Sequence, residues 1–485
     1  MKLSRLLKGL TDATAEGVRD PDVVGITCDS RTVRAGYLFV ALPGLHCDGW
    51  TFAGEALQRG ALAVVTEHAG PLRREGGMIR VPDAALALAQ LAAAFYGHPS
   101  RQMPVIGITG TNGKTTTAHL AWHILRTAGH VPGLIGTVEY RIGARVIPAV
   151  RTTPDAMAFQ RTLAEMLSAG CRSAVTEVSS HALVQRRTAC TAWDVAVFTN
   201  LTRDHLDYHT DMETYFQAKR QLFEALGRDD KQAVAVLNLD DPWGRRLAQE
   251  TWNARTLTYA CGPRADVSAD GIRLDSSGSI FRVTTPWGAA DIRLGLLGRF
   301  NISNALAAVA ATGALGVPLE QIVASLQDLD VVPGRLEEVP TGRDFQVFVD
   351  YAHTDDALQH VLQTLREITP RRLIVVFGCG GDRDTSKRPA MGAVASRLAD
   401  HCIVTSDNPR SEDPAAIIAQ IVAGMDATDR MDVIQDRSAA IQHAVGMARD
   451  GDIVLIAGKG HEHFQEFGNT TVSFDDRQMV KRYIS

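Results

Sequence analysis

Short apolar runs, each followed by glycine or polar residues, recur along most of the chain. Four of them lie in the middle third and are separated by stretches with helical periodicity: "VIGIT" (105–109), "CRSAVTEV" (171–178), "DVAVFTN" (194–200) and "AVAVLNL" (233–239). Apolar strands that alternate with helices are typical of a mostly parallel sheet buried on both faces. Residues 256–292 break this alternation, and we predict an antiparallel insertion there.

The pattern divides the chain into three parts. Short β-like runs lie near the start, at 35–42, 61–68 and 76–82, and strands that run into polar loops return at 344–353, 371–381, 400–410 and 450–462. Stretches with the glycine, proline and polar residues of linkers lie at 97–104 and 328–340. We therefore predict an α/β protein of three domains, covering residues 1–100, 101–332 and 333–485.

The stretch "GITGTNGKTTTAHL" (107–120) lies between a predicted strand and a predicted helix. Gly110 and Gly113 allow backbone torsions that other residues resist, and Lys114 supplies a compact positive charge. Thr115 offers a hydroxyl to Mg²⁺, at a helix start that favours anions. The usual phosphate loop has a glycine where this chain has Ile108, so the turn must be made by the glycines on either side. The stretch predicts a nucleotide phosphate site.

Two further polar stretches follow strands of the same predicted sheet. Glu177 begins "EVSSH", and "TNLTRDHLDYH" places His205 among acidic residues. A carboxylate and an imidazole beside Thr115 could hold Mg²⁺ against nucleotide phosphates. A hydrolytic metal site is the alternative for "DHLDYH", but a hydrolase would not need the phosphate loop.

Basic residues elsewhere in the chain indicate a function less clearly. Lys219 lies on a predicted helix in "YFQAKRQLF" (215–223), where a lysine is usually a solvated charge. Arg383, Lys387 and Arg410 occupy predicted loops of the last domain, which suggests either an acidic or zwitterionic small substrate or ordinary surface salt bridges. "GKGHEH" (458–463) fits a pocket lining better than a metal motif.

Composition narrows the class of protein. With 485 residues, 45% of them hydrophobic and 22% charged, the chain is typical of a multidomain globular protein. The net charge of −5 offers no basic surface for nucleic acid, and no apolar run approaches the roughly 18 residues of a membrane span. The stretch "MKLSRLLKGLTDAT" has no long apolar core or small-residue cleavage site, so we expect no secretion signal in it. Seven scattered cysteines without a CxxC pair indicate reduced, mostly buried thiols. We expect a cytoplasmic monomer.

The motifs as a set resemble those of the Mur ligases. "GTNGKTT", "EVSSH", "TNLTRDHLDYH", "PGRLEEV", "VDYAHT", "GCGGDRD", "DNPR" and "GKGHE" occur in the family's order over nearly the whole chain. The resemblance implies a UDP-binding N-terminal domain, a central P-loop ATPase domain and a Rossmann-like C-terminal domain. It also implies an ATP-dependent ligase of peptidoglycan precursor synthesis, which attaches an amino acid to a UDP-N-acetylmuramoyl-dipeptide through an acyl phosphate.

The resemblance implies roles for individual residues. Those for ATP are Gly110, Thr111, Asn112, Gly113, Lys114, Thr115, Thr116, Asn301, Arg335 and Asp350. Those for Mg²⁺ are Thr115, Glu177, His205 and Lys219, the last as a carbamate formed from CO₂; Lys114, Glu177, His205 and Lys219 are the expected catalytic residues. Those for the UDP-muramoyl-dipeptide are Ser30, Leu45, His46, Cys47, Thr152, Thr153, Ser179, Gln185 and Arg187. Those for the added amino acid are Arg383, Asp407, Asn408, Pro409, Arg410, Gly458 and Glu462.

"DNPR" bears on which amino acid is added. In the family this motif accompanies meso-diaminopimelate, whose second carboxylate Arg410 could pair with bidentately, whereas L-lysine lacks that group. Two departures from the family pattern occur: Arg151 replaces asparagine in "NTTP", and Asp355 replaces proline in "YAHTPD". A sibling ligase that adds lysine, a folylpolyglutamate-type synthase, and a P-loop ATPase or kinase remain the alternatives; a non-catalytic binding module fits least.

Overall fold

Three large β-sheets, one after another along the chain, organise the molecule. The computed structural model describes residues 1–44, 47–70, 76–229, 231–275, 277–329, 331–426 and 430–484. Leu45 and His46, both predicted to meet the uridine end of a substrate, lie outside these residues. The three sheets with flanking helices confirm the predicted three-domain α/β class, while the predicted limits at residues 100 and 332 stay predictions.

The N-terminal sheet has five strands in the order β1-β5-β4-β3-β2, parallel except for the β1–β5 pair. Its strands are β1 (Thr14–Glu16), β2 (Gly25–Thr27), β3 (Tyr37–Val40), β4 (Ala63–Thr66) and β5 (Gly77–Arg80). Its helices are α1 (Leu3–Leu7), α2 (Ala53–Gln58) and α3 (Ala84–Phe95). The strands β3 to β5 lie inside the three apolar runs that predicted them.

The central sheet has eleven strands in the order β16-β15-β14-β13-β12-β11-β6-β10-β7-β8-β9. These are β6 (Val105–Thr109), β7 (Pro132–Ile135), β8 (Glu139–Ile142), β9 (Arg145–Pro148), β10 (Ser173–Glu177), β11 (Val195–Phe198), β12 (Val234–Asn238), β13 (Arg255–Ala260), β14 (Val267–Asp275), β15 (Gly278–Thr285) and β16 (Gly288–Leu294). Its helices are α4 (Lys114–Thr127), α5 (Ala156–Ser168), α6 (Ser180–Val184), α7 (Leu206–His209), α8 (Met212–Glu224), α9 (Pro242–Ala248), α10 (Arg299–Ala314) and α11 (Leu319–Gln327).

The predicted antiparallel insertion is only partly right. Strands β14, β15 and β16 are antiparallel neighbours, but β13 pairs in parallel with β12 and with β14. The segment therefore extends the central sheet instead of forming a separate unit. Nothing in the run "RTLTYA" of β13 shows whether its neighbouring strands are parallel or antiparallel to it. That depends on how the chain connects one strand to the next.

The C-terminal sheet has six strands in the order β17-β18-β22-β19-β20-β21, and all but the first pair are parallel. Its strands are β17 (Glu337–Glu338), β18 (Gln346–Asp350), β19 (Leu373–Phe377), β20 (His401–Val404), β21 (Met431–Val433) and β22 (Ile453–Ala457), followed by a hairpin of β23 (Phe464–Phe467) and β24 (Thr470–Ser473). Its helices are α12 (Asp355–Ile368), α13 (Lys387–Leu398), α14 (Pro414–Val422), α15 (Arg437–Met447) and α16 (Asp476–Ile484).

Strand order brings the predicted polar loops together. In the central sheet β6 lies between β11 and β10, so the loops that follow these three strands are neighbours at one edge. In the C-terminal sheet β18, β22, β19 and β20 are consecutive, so the loops at 351–354, 458–462, 378–386 and 405–410 also meet. Ligands of open parallel sheets bind at such edges.

Two composition-based expectations can be compared with the structure. The seven cysteines, all in the described part of the chain, are unpaired, but only Cys171, Cys379 and Cys402 are buried, so the expectation of mostly buried thiols is wrong. No helix among the described residues is both long enough and apolar enough to cross a bilayer.

Candidate active site

The loop between β6 and α4 has the backbone shape that the glycines predict. Gly110 has a φ of +151° and Gly113 a φ of +84°. A Cβ at Gly110 would lie 1.8 Å from Thr199 Oγ1, and one at Gly113 would lie 2.2 Å from Asn304 Oδ1. Only glycine fits both positions, and the loop delivers the chain into the N-terminus of α4, where backbone N–H groups favour an anion.

Two lysines converge on this loop. Lys114 Nζ donates to the carbonyls of Gly110 (2.9 Å) and Thr111 (2.8 Å), and Lys219 Nζ donates to the Gly110 carbonyl (2.7 Å). Burial lowers the pKa of both amines; for Lys219 the charge of Lys114 lowers the pKa further. The side chain of Lys219 is 1% exposed, so the residue-based expectation of a solvated charge is wrong.

Glu177, at the end of β10, connects the loop to the neighbouring strand. Its buried carboxylate accepts from Thr115 Oγ1 (2.9 Å), Thr137 N (2.8 Å) and Thr137 Oγ1 (2.9 Å). Arg335, from the segment before β17, donates through Nη2 to Thr115 Oγ1 (2.9 Å). A carboxylate, a hydroxyl and a guanidinium therefore surround the first turn of α4.

His205 lies in a cluster of aromatic side chains after β11. Its φ is +56°, and its Nε2 lies 3.3 Å from Asp204 Oδ2. The His181 ring is 4.9 Å from the His205 ring, edge to face. Burial lowers the pKa of His205 to about 3 despite the Asp204 carboxylate, so the imidazole is neutral and can act as a ligand through nitrogen.

A cavity of about 500 Å³ lies between the phosphate loop and the C-terminal domain. Its lining includes the predicted nucleotide residues Asn112, Gly113, Thr116, Arg335 and Asp350. The predicted residues Gly110, Thr111, Lys114, Thr115 and Asn301 are not part of this lining. The amide of Asn301 is buried and donates to the Leu297 carbonyl (2.8 Å). Asn304 lines it instead.

Asp350 lies at the edge of this cavity, and its side chain holds two backbone segments in place. Its carboxylate accepts from the backbone N–H groups of Leu336 and Ala352, both at 2.7 Å. Full burial raises its pKa, an effect that the Arg335 charge opposes. Arg335 lies over the Tyr351 ring at 4.7 Å, and its Nε is buried without a hydrogen-bond partner in the described structure. A buried, unpaired guanidinium nitrogen at this point suits a phosphate oxygen.

A second cavity, of about 920 Å³, lies between the central and C-terminal domains. The central domain contributes Arg151, Thr152 and His205 to its lining. The C-terminal domain contributes most of the residues predicted for the added amino acid: Arg383, Asp407, Asn408, Arg410, Gly458 and Glu462. Pro409 is not part of the lining.

Lys459 is fully buried behind this cavity, and its ammonium group orients three polar side chains of the cavity lining. Its Nζ donates to Asn408 Oδ1 (2.9 Å) and Glu462 Oε2 (3.0 Å) and lies 3.4 Å from Asp407 Oδ1. Burial alone would raise the pKa of Asp407, but the charges of Lys459 and Arg437 and the hydrogen bond from Lys459 together outweigh burial, and the pKa is lowered. Burial raises the pKa of Glu462, an effect that Lys459 partly offsets.

The two arginines of the C-terminal wall, Arg383 and Arg410, are held in place by different hydrogen bonds. Arg410 has a φ of +52°; its Nε donates to Glu466 Oε2 (2.9 Å) and its Nη1 to the Gly381 carbonyl (2.7 Å). Arg383 donates through Nη1 to the Asp382 carbonyl (3.0 Å). Both guanidinium groups keep donors for a ligand carboxylate.

Five of the residues predicted for the muramoyl-dipeptide lie close together, and one of them, Thr152, lines the second cavity. The other four are Thr153, Ser179, Gln185 and Arg187. Thr153 Oγ1 donates to the Glu177 carbonyl (2.8 Å) and accepts from Ser179 N (3.1 Å). Arg187 donates to the Thr153 carbonyl (3.0 Å) and to Gln185 Oε1. Ser30 and Cys47, predicted for the uridine end, line neither cavity; the Ser30 hydroxyl donates to Glu55 Oε2 (3.3 Å).

Tyr351 and His353, after β18, line both cavities. The His353 Nδ1 lies 2.8 Å from the Tyr351 carbonyl, which can only accept, so Nδ1 carries the proton and Nε2 is an acceptor. A nucleotide terminus in one cavity and an acidic amine in the other would meet at this wall. The arrangement can therefore transfer a phosphoryl group and then join two substrates.

Sequence reasoning missed several residues of the site. Asn304 follows Asn301 by three positions and shares its helix face, which is the signal that could have found it. The motif "VDYAHT" contains Tyr351 and His353, to which the sequence alone assigns no role. Asp356 accepts from Asn112 Nδ2 (2.8 Å) across the domain boundary. It falls on the last residue of the family pattern "YAHTPD", which is the signal that could have found it.

Comparison with known proteins agrees with this geometry. Three family models match: the Mur ligase family catalytic domain at residues 22–96, the Mur ligase middle domain at 108–312 and the Mur ligase glutamate ligase domain at 334–460. A relative from Geobacillus kaustophilus, named UDP-N-acetylmuramoyl-L-alanyl-D-glutamate–2,6-diaminopimelate ligase, is 47% identical over 99% of both chains.

Solved structures extend the comparison. A structure of a UDP-N-acetylmuramoyl-L-alanyl-D-glutamate–2,6-diaminopimelate ligase is 34% identical, with a TM-score of 0.68 over 95% of this chain and 94% of that one. A Thermotoga maritima MurF ligase in complex with ADP shares the fold at 19% identity, with a TM-score of 0.65 over 95% and 96% of the two chains. The chain belongs to the Mur ligase family.

Proposed function

We propose that this chain is an ATP-dependent ligase that joins meso-diaminopimelate to the D-glutamate of UDP-N-acetylmuramoyl-L-alanyl-D-glutamate, a step of peptidoglycan precursor synthesis. The names of its relatives support this reaction. The observation that carries the proposal is that the phosphate-loop cavity and the arginine-lined cavity share Tyr351 and His353. The substrates are soluble and nucleotide-linked, so we propose a cytoplasmic enzyme that works as a monomer.

We assign the three substrates to different parts of the chain. Residues 1–100 would hold the UDP end, residues 101–332 would hold ATP, and residues 333–485 would hold the amino acid. The solved structure of the Thermotoga maritima relative is a complex with ADP, which supports nucleotide binding by this chain. Arg335, with its unpaired buried Nε, would meet the nucleotide phosphates from across the cleft.

The site also suits Mg²⁺, which the family relation implies. Glu177 and Thr115 offer the oxygen atoms that this ion prefers, and Asp204 orients a neutral His205 nearby. Bound Mg²⁺ would neutralise charge on the transferring phosphoryl group. Among the described residues no group of three His, Cys, Asp or Glu side chains is placed to hold a metal ion. Phosphate oxygens of the nucleotide would supply further ligands.

Lys219 would complete this ligand set as a carbamate. Carbamate formation joins the neutral amine nitrogen to the carbon of CO₂ and releases one proton. Burial and the adjacent Lys114 lower the pKa of Lys219, which favours that neutral amine. The product is an anion with two oxygens in place of a cation, and it would relieve the repulsion between the two lysines.

The reaction would proceed in two steps. An oxygen of the D-glutamyl γ-carboxylate attacks the γ-phosphorus of ATP, and the bond to the ADP oxygen breaks, giving an acyl phosphate. Lys114 and the loop N–H groups stabilise the transferring charge. The diaminopimelate amine then attacks the acyl carbon, phosphate leaves, and the amine nitrogen loses its proton. The walls around Tyr351 and His353 exclude water from the acyl phosphate meanwhile.

An amino-acid panel tests this proposal. The protein is incubated with ATP, Mg²⁺ and UDP-N-acetylmuramoyl-L-alanyl-D-glutamate plus meso-diaminopimelate, L-lysine or another amino acid, and products are weighed by mass spectrometry. We expect the diaminopimelate adduct and ADP in equal amounts. A lysine adduct instead would identify a sibling ligase. ATP turnover that ignores the amine would indicate an ATPase or kinase and overturn the proposal.

A further inference from the structure

Helix α16 begins beside two loops that belong to different cavities. Arg477, in its first turn, has a side chain that is 15% exposed and lines neither cavity. Its Nη1 donates to Glu337 Oε2 (3.1 Å), and its Nε and Nη2 donate to the two carboxylate oxygens of Asp475, both at 3.0 Å. A planar guanidinium bound by two carboxylates keeps one orientation. Arg477 therefore fixes two acidic side chains relative to each other.

The Glu337 side of this contact leads to the phosphate loop. The same Glu337 oxygen accepts from Gly334 N (2.8 Å), which closes the turn that carries Arg335. Arg335 Nη2 donates to Thr115 Oγ1 (2.9 Å) at the start of α4. Leu336 has a φ of +41°, a conformation that a leucine rarely adopts, so contacts from outside the turn must hold it. Glu337, and through it Arg477, supplies such a contact.

The Asp475 side leads to the second cavity. Asp475 Oδ2 accepts from His463 Nδ1 (2.7 Å), and His463 lines that cavity. Phe474 N donates to the His463 carbonyl (2.9 Å), so both the side chain and the backbone of His463 are held at the start of α16. His463 directly follows Glu462, one of the residues assigned to the amino acid. Asp475 therefore connects the amino-acid loop, residues 458–463, to Arg477.

The turn of Arg335 and the amino-acid loop also touch directly. Gly334 and Gly460 have φ values of +68° and +52°. A Cβ at Gly334 would lie 2.2 Å from His461 N, and one at Gly460 would lie 2.7 Å from the Gly334 carbonyl oxygen. Because no side chain separates the two backbones, a displacement of one displaces the other.

We propose that Arg477 is a positioning residue that couples the amino-acid loop to Arg335. An amino acid bound in the second cavity fixes residues 458–463, and through Arg477 it fixes the turn that presents Arg335 to the nucleotide phosphates. Nucleotide and amino acid then strengthen each other's binding by the same factor, because such coupling is reciprocal. The inference rests on the proposed function and goes beyond it by giving a role to a residue outside both cavities.

Equilibrium binding tests this coupling. The affinity of a non-hydrolysable ATP analogue with Mg²⁺ is measured by calorimetry, without and with saturating meso-diaminopimelate. We expect the amino acid to tighten analogue binding to wild type by about five- to tenfold. In Arg477→Gln this factor should fall below about twofold. A merely structural role would lower the number of folded binding sites and leave the factor unchanged. An unchanged factor in Arg477→Gln, or no tightening in wild type, would overturn the inference.

Further variants separate the outcomes. Glu337→Gln weakens the same contact from its other side and should also reduce the factor, whereas Arg477→Lys should keep part of it. Arg366→Gln breaks an ion pair with Asp400 (2.7 Å) in the same domain, outside both cavities, and should keep the full factor. An equal loss in Arg366→Gln would overturn the inference. If wild type forms no diaminopimelate adduct in the amino-acid panel, the proposed function fails; if it forms the adduct while Arg477→Gln keeps the factor, only this inference fails.

Discussion

At the residue scale, Lys219 is an amine in a position that disfavours its charge. The side chain is 1% exposed, its Nζ lies 2.7 Å from the Gly110 carbonyl, and its pKa is lowered by burial. The Lys219→Ala variant should lose ligase activity by about a hundredfold or more, because no anion can then complete the metal site. Added short carboxylic acids should restore part of it, measured as phosphate release.

The conservative variant Lys219→Arg controls for charge and size. A guanidinium stays protonated and does not form a carbamate, so this variant should be as inactive as the alanine variant. Full activity in Lys219→Ala without added acid would contradict the carbamate role. Rescue of Lys219→Arg to the same level would argue that the acid acts elsewhere.

We expect Arg410 to select the amino acid that is added. Its Nε and Nη1 are held by Glu466 and the Gly381 carbonyl, so the remaining donors point in a fixed direction. Arg410→Ala should lower kcat/KM for meso-diaminopimelate by about thirtyfold or more, the worth of a charged hydrogen-bond pair. The rate with L-lysine, which we expect to be low in wild type, should change by less than about threefold. Equal losses with both amines would remove Arg410 as the selectivity element.

At the element scale, two glycines bracket helix α4 and offer a matched pair of variants. Gly113 and Gly129 have φ values of +84° and +83°. A Cβ at Gly113 would meet Asn304 Oδ1 at 2.2 Å, whereas one at Gly129 would meet no atom within 4 Å. Gly113→Ala should therefore abolish measurable ATP binding in calorimetry, while Gly129→Ala should bind ATP normally.

Both variants carry the same backbone strain, which costs about 1–2 kcal/mol for an alanine at positive φ. Thermal unfolding should show this shared loss, with a further decrease only for Gly113→Ala. Weakened ATP binding in Gly129→Ala would show that strain in α4, and not the clash in the loop, controls the site.

The central strands of the parallel sheets were predictable at this scale because they are buried, largely apolar runs that end in polar loops. β10 and β22 both fit that description. Side-chain direction was less predictable. Asn301 and Asn304 share a helix face, and which of them reaches the cavity depends on the Leu297 carbonyl that engages Asn301. Lys219 has the sequence surroundings of a surface lysine, and it is buried because α8 packs against α6, α7 and β6.

At the scale of the whole molecule, Asp355 links two domains. It stands where the family carries proline, and its Oδ2 lies 3.1 Å from Arg203 Nη2 of the central domain. Asp355→Asn should raise KM for ATP about two- to fivefold, since a partly exposed pair contributes up to about 1 kcal/mol. The exchange Arg203→Asp with Asp355→Arg should recover most of the loss, measured by steady-state kinetics.

The pair Arg282–Asp291 is a suitable control. Its atoms are also 3.1 Å apart, but both side chains belong to the β15–β16 hairpin of one domain. Asp291→Asn should leave the KM for ATP unchanged. If Asp291→Asn and Asp355→Asn have the same effect, the contact between domains has no special role.

Buried imidazoles make the stability of the molecule depend on pH. Burial, followed by the charges of Arg141 and Arg335, lowers the pKa of His119 to about 3 from its ordinary value of 6.5. Below about pH 6.5 the unfolded chain therefore binds a proton that the folded chain does not. The free energy of unfolding should fall as the pH decreases from about 6.5 toward 3, by up to about 1.4 kcal/mol per pH unit for this residue.

Urea unfolding at pH 7.5, 6 and 5 measures this dependence. The His119→Gln variant lacks the titrating group, so its transition midpoint should change less with pH than that of wild type. The same pH dependence in both proteins would show that His119 is protonated alike in the folded and unfolded states.

The thin wall formed by Tyr351 and His353 has a consequence for inhibitor design. Because each of these side chains borders both cavities, a compound with a nucleotide-like head and a diacid tail needs only a short connecting linker to occupy both. Once the head is seated, the tail is held at a high effective concentration beside Arg383 and Arg410. Such a bisubstrate compound gains about a hundredfold or more in affinity over either half alone.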